Sequence, residues 1–122
     1  QRFLEQGHGV LVGISSIAGI RGNPIAPAYN ASKAFVSNYL EGLRCKVKKL
    51  PMNIKIVDIR PGFVDTAMAK GDRLFWVASP QKAAQQIYRC IQQGKEKAYI
   101  TRRWLLFAWL LKLLPDWLLY KL

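Results

Sequence analysis

The sequence predicts an α/β fold, the C-terminal half of a doubly wound parallel sheet, and three observations carry that reading. Val10 to Ser15 is a short, continuous apolar run after Gly9, the pattern of a strand buried on both faces. Asn53 to Ile59 is a second strand-like segment, rich in Ile and Val. Between and after them lie two stretches of helical character. Strand, helix, strand, helix, strand is the order expected of a parallel sheet covered by helices.

The elements follow from local chemistry. Arg2 to Gln6, ahead of Gly7, reads as the tail of a helix, and His8, between two glycines, reads as a turn. Residues 17–28 hold two glycines and two prolines and are expected to be loop. A long helix should run from about Ala28 to Lys48, with Ala31, Ala34, Phe35, Tyr39, Leu43 and Val47 recurring at helical spacing and Pro51 ending it. Pro61-Gly62 breaks the chain after the second strand, and residues 67–79, with Leu74, Phe75 and Trp76, read as an irregular connection. Ser79-Pro80 is a helix start, with Ser as N-cap and Pro at the first helical position. That helix should reach about Gln93 and stop at Gly94, before a short strand over Ala98 to Thr101. Gly7-x-Gly9-x-x-x-Gly13 is not a phosphate loop, because it precedes a strand instead of following one.

Composition narrows the function classes. The 122 residues suit one small domain, and an apolar half argues against disorder. The net charge of +12 invites a nucleic-acid reading, but the cations are scattered and no aromatic-interleaved basic element accompanies them. Arg44, Lys46, Lys48 and Lys49 read as a solvated helix end, whereas Arg102 and Arg103 flank an apolar segment and suit anionic headgroups. Cys45 and Cys90, without any Cys-x-x-Cys pair, read as buried free thiols of a cytoplasmic protein with no metal site.

Tyr29-Asn30-Ala31-Ser32-Lys33 is the most informative stretch. A phenol and an ammonium four residues apart meet on one helix face. A tyrosine is ordinarily a poor acid, with a pKa near ~10. A cation beside it favours phenolate and makes it a usable proton relay. Ser16 stands thirteen residues upstream in Ile-Ser-Ser-Ile-Ala-Gly, and Arg60-Pro61-Gly62-Phe63-Val64-Asp65-Thr66 lies downstream. In this combination the chain resembles the short-chain dehydrogenase/reductase family, from its first residue to about Thr101.

The resemblance implies that residues 1–101 are the C-terminal half of an NAD(P)-binding, Rossmann-like domain, about half the length of a whole enzyme. It makes Tyr29 the general acid/base, Lys33 its electrostatic partner and a donor to the nicotinamide ribose, and Ser16 the hydroxyl that orients the substrate oxygen. Ser15 is left as a strand hydroxyl bonded locally. The implied cofactor-binding set is Tyr29, Lys33, Pro61, Gly62, Val64 and Thr66, with Val64 at the carboxamide and Thr66 at the carboxamide or pyrophosphate. The family's glycine loop and helix-borne Asn belong to the other half, so NADP or NAD is expected without a choice between them. The substrate is expected to be a hydrophobic ketone, aldehyde or secondary alcohol. The alternative is a noncatalytic membrane- or partner-binding module descended from such an enzyme.

Residues 102–122 lie beyond the shared core and read as an apolar helical extension, interrupted at Pro115-Asp116. Lys112, Pro115 and Asp116 make a membrane span improbable, since crossing needs about 20 apolar residues. Two readings stay open: docking into the interface of a homo-oligomer, or lying peripherally in a membrane interface with its tryptophans near the headgroups.

Overall fold

The computed structural model describes residues 1–64 and 76–121. Helix α1 (Arg2–Gln6) leads into strand β1 (His8–Ile14), followed by a 3-10 turn over Ile17–Gly19 and the long helix α2 (Pro27–Val47). Strand β2 (Asn53–Pro61), helix α3 (Pro80–Gln92) and strand β3 (Lys97–Ile100) come next, and helices α4 (Trp104–Leu113) and α5 (Asp116–Leu119) close the chain. The three strands form one parallel sheet in the order β1-β2-β3. The α/β expectation holds, with a strand-helix-strand alternation whose helices cover the sheet.

Strand periodicity sorts β2 between its two faces. Val57 and Ile59 join Ala83 of α3 and Ala98 and Ile100 of β3 in an apolar core. Asp58 and Arg60 turn the other way, where Ser37 of α2 reaches Asp58. Ser79 caps α3 by accepting the Lys82 N–H, with Pro80 at its first position, as the sequence indicates. β1 is one edge of the described sheet, and Val10, Leu11 and Ile14 on its two faces stay 42%, 39% and 48% exposed.

Several expectations are corrected. β1 begins at His8, not Val10, because His8 pairs in register with Asn53 and the Asn53 N–H bonds the Gly7 carbonyl. His8 is therefore a strand residue rather than part of a turn. The loop over residues 17–28 contains the 3-10 turn. In α2 the buried residues are Asn30, Leu40 and Arg44, while Phe35 and Tyr39 stack on each other on the outer face, 70% and 58% exposed. The polar residues face inward because backbone carbonyls of the loop after β1, of β2 and of the turn before β3 accept from them. Arg44 is no solvated helix end: its guanidinium donates to the Ile56 and Glu96 carbonyls at 3.2 and 2.7 Å. Cys45, one position further round the helix, is exposed instead of buried.

α4 is held to the domain by Trp104, which is 1% exposed. Its indole meets Phe63, Trp76 and Phe107 edge-to-face at centroid distances of 5.5, 5.6 and 5.4 Å. Gly62 makes room for it, since a Cβ there would lie 2.1 Å from the indole ring. Arg21 closes the far end, donating to the Leu114 carbonyl at 2.9 Å and to Asp116 at 2.7 Å.

Gly62→Ala should therefore destabilise the protein by about 1–3 kcal/mol through overpacking. Denaturant unfolding should show a smaller loss when Trp104→Leu is added. A second expectation concerns acid. The hydrogen bond and charge of Lys97 hold the Glu41 carboxyl below its ordinary 4.5, and those of Lys48 do the same for Glu96. Stability from these carboxylates is present above pH 4.5 and is lost as pH falls through their lower folded values. Thermal melts across the acid range should show Glu41→Gln flattening that loss by less than about 1 kcal/mol, since the pair is exposed.

Candidate active site

The site is built where β1 and β2 end. Ser16, just past β1, is buried, and its Oγ accepts the Ala18 N–H at 3.1 Å, capping the 3-10 turn. The same hydroxyl donates to the Pro61 carbonyl at 3.3 Å, which joins it to the end of β2. The side chain of Asn23 accepts the N–H groups of Ile25 and Ala26 at 3.0 and 2.9 Å, turning the loop into α2, where Pro27 starts the helix.

Tyr29 and Lys33 then fall one helical turn apart. The Lys33 Nζ sits 5.6 Å from the Tyr29 ring centroid and donates to the Ile14 carbonyl at 3.2 Å. The lysine thus bridges the tyrosine's helix to the last residue of β1, two positions before Ser16. Gly19 sets this closeness: a Cβ there would lie 2.7 Å from the Lys33 carbonyl carbon, so the 3-10 turn rests on the α2 backbone. Tyr29 stays 42% exposed and Lys33 is half-buried, its Nζ held at the carboxyl end of β1.

Of the downstream motif, Pro61 receives Ser16, and the Gly62 N–H bonds the Ile100 carbonyl at 2.7 Å. Val64 pairs with Ala78 in an isolated parallel bridge made through the Phe63 carbonyl, not through Val64's own. Thr66, with Leu74 and Phe75 of the connection, lies outside the described residues. Ser15 is bonded, but not locally: its hydroxyl donates across the sheet to Asp58 and, at 3.3 Å, to the Ile59 carbonyl.

Sequence reasoning missed three residues that hold this arrangement. Asn30, inside the Tyr29–Lys33 motif, is buried and donates to the Ala18 and Arg21 carbonyls at 2.6 and 2.8 Å, clipping the turn to α2. Asp58, fully buried, receives Ser15 just past β1, Ser37 of α2 at 3.1 Å and Arg60 of its own strand at 2.7 Å. Arg60 continues to the Tyr99 hydroxyl on β3 at 3.1 Å. Burial works against the Arg60 charge, yet the Asp58 hydrogen bond and charge, with Tyr99, outweigh it and raise its pKa. Two charges at i and i+2 within a strand buried on both faces were the available signal.

Comparison with known proteins places the chain in a family. The family model for short chain dehydrogenase matches residues 1–75. The chain belongs to that family. This short chain dehydrogenase chain is 43% identical over 63 residues to the 3-oxoacyl-(acyl-carrier-protein) reductase of Chlamydia muridarum, covering 52% of the chain and 25% of the reductase. Its fold matches a 7β-hydroxysteroid dehydrogenase at a TM-score of 0.73 and 20% identity, covering 92% of the chain and 46% of that structure. It also matches a short chain dehydrogenase from Burkholderia cenocepacia in complex with NADP, at a TM-score of 0.68 and 22% identity, over 79% of the chain and 40% of that structure. The chain thus spans about a quarter of the curated reductase and under half of each solved structure.

Asp58→Asn keeps the shape but loses the charge opposite Arg60. It should cost about 3–5 kcal/mol in denaturant unfolding, the penalty for leaving a buried cation unpaired.

Proposed function

We propose that this chain supplies the proton-transfer half of an NAD(P)-dependent oxidoreductase that interconverts a carbonyl and an alcohol. The observation that carries the proposal is Lys33, which stands beside the Tyr29 ring while bonded to the end of β1. An ammonium and a phenol, both accessible at the carboxyl edge of a parallel sheet, fit the ribose end of a nicotinamide nucleotide. Lys33 and Tyr29 would bind the ribose hydroxyls, with Pro61, Gly62, Val64 and Thr66 beside the nicotinamide ring. The bound nucleotide supplies or accepts the hydride.

The chain's own part is the proton. As a carbonyl is reduced, its oxygen gains negative charge and takes the proton of the Tyr29 hydroxyl; in the alcohol direction the Tyr29 oxygen takes the proton back from the substrate hydroxyl. The Lys33 ammonium stands beside the ring from which that proton leaves. Ser16 donates a second hydrogen bond to the reacting oxygen and orients it. Doing so requires its proton to swing from the Pro61 carbonyl, where the 3.3 Å contact is long enough to give way.

Names of relatives support a hydrophobic substrate: one similar protein is an acyl-carrier-protein reductase and one structural neighbour a hydroxysteroid dehydrogenase. Phe63, at 37% exposed, offers an apolar wall beside the site. An NADP or NAD cofactor is supported by neighbours bound to NADP and to NADH.

The test is Tyr29→Phe in the native-length protein. Nicotinamide-dependent turnover should fall by at least about 10²-fold, the scale of a lost general acid/base, while nucleotide binding followed by fluorescence persists. Lys33→Met should weaken both turnover and nucleotide binding. Undiminished turnover by Tyr29→Phe would remove Tyr29 from the chemistry, and absence of nicotinamide-dependent turnover in the unaltered protein would favour the noncatalytic reading.

A further inference from the structure

The C-terminal helices present two different faces. Trp104 and Ala108 of α4 are buried against the domain. Lys112, one turn further on, lines a recess of about 280 Å³ together with Ser37, Glu41, Arg60 and Lys97. It is the single charged residue of α4 and, although exposed, it borders that recess of the domain. The single charge of α5, Asp116, is held by Arg21. Both charged residues are exposed, and both lie next to residues of the domain.

The outer face is apolar. Leu106, Trp109, Leu110, Leu113, Trp117 and Tyr120 are each between 57% and 81% exposed. Leu106, Trp109, Leu110 and Leu113 share one face of α4 by their spacing, and with Trp117 and Tyr120 just beyond they exceed the scattered exposure normal for a soluble surface. The rim is basic: Arg102, Arg103 and Lys121 stand at the two ends, with Arg103 over Trp76 at 5.5 Å and Lys121 over Trp117 at 5.7 Å. Among the described residues no helix is long and apolar enough to cross a membrane.

We propose that this outer face of α4 and α5 docks in the interfacial layer of an anionic lipid bilayer. Trp109, Trp117 and Tyr120 sit at headgroup level, Leu106, Leu110 and Leu113 reach the acyl boundary, and the basic rim meets lipid phosphates. Charge decides the occupant. A second copy would bring one basic rim against another within a chain of net charge +12, whereas an anionic surface complements both the rim and the net charge. The face is also pre-arranged, since Trp104 and Arg21 fix both ends of the tail before any lipid arrives. The proposal is independent of the catalytic reading.

Vesicle co-sedimentation of the native-length protein tests it. Binding to phosphatidylcholine vesicles containing about one-third phosphatidylglycerol should be at least about 10-fold tighter than to phosphatidylcholine alone. It should weaken at high salt. Trp109→Ser with Leu110→Ser should abolish pelleting, and Arg102→Glu with Lys121→Glu should remove the lipid-charge preference, both with unchanged far-UV circular dichroism. Pelleting of neither vesicle by the unaltered protein would overturn the proposal. So would a concentration-dependent dimer that dissociates on the Trp109 and Leu110 substitutions while vesicle binding is absent, which would give the face to a second copy.

Discussion

The buried carboxylate of Asp58 is the constraint on which the rest of the molecule depends. A charge with no solvent access is tolerated only when donors surround it. Here each donor comes from a different place: Ser15 from the end of β1, Ser37 from the middle of α2, and Arg60 from β2 itself. Arg60 then carries the connection to Tyr99 on β3. One carboxylate therefore fixes the position of α2 over the sheet, and α2 carries Tyr29 and Lys33. It also fixes the residue before Ser16. The polar interior is what gives the apolar layers a defined register.

The candidate site is correspondingly stiff where it must be and open where it must act. Asn30 and Gly19 bind the 3-10 turn to α2, one by two hydrogen bonds and the other by the absence of a side chain. Lys33 ties the helix to the Ile14 carbonyl. Tyr29, by contrast, keeps an exposed ring at the sheet's carboxyl edge. Ser16 has a structural duty as the cap of the turn, so its place is set by the fold before any ligand is present.

The C-terminal tail shows a different compromise. A segment apolar on nearly every side has only two ways to bury itself, inward or against something else. Trp104 and Ala108 go inward, with Trp104 filling the space that Gly62 leaves, while Asp116 stays exposed and is paired with Arg21. What remains outside is a largely apolar surface with cations at its ends. The same indole that anchors the tail packs on Gly62 and Phe63, so the tail and the loop beside the site share one aromatic cluster.

The sequence by itself determined the alternation of strands and helices, the start of α3 at Ser79-Pro80, and the motif that brings Tyr29 and Lys33 onto one face. Those are local matters: periodicity, turn chemistry and four-residue spacing act within a few residues of one another. Only the tertiary structure decided which side of α2 would face the sheet. Apolar periodicity pointed to Phe35 and Tyr39, yet Asn30 and Arg44 were buried, because carbonyls at Ala18, Arg21, Ile56 and Glu96 lay waiting for donors. Hydrogen-bond partners brought from distant parts of the chain leave no periodic trace in its spelling. The same holds for Ser15, whose partner Asp58 stands 43 residues away, and for the two sides of the tail, which differ only once the domain supplies a surface.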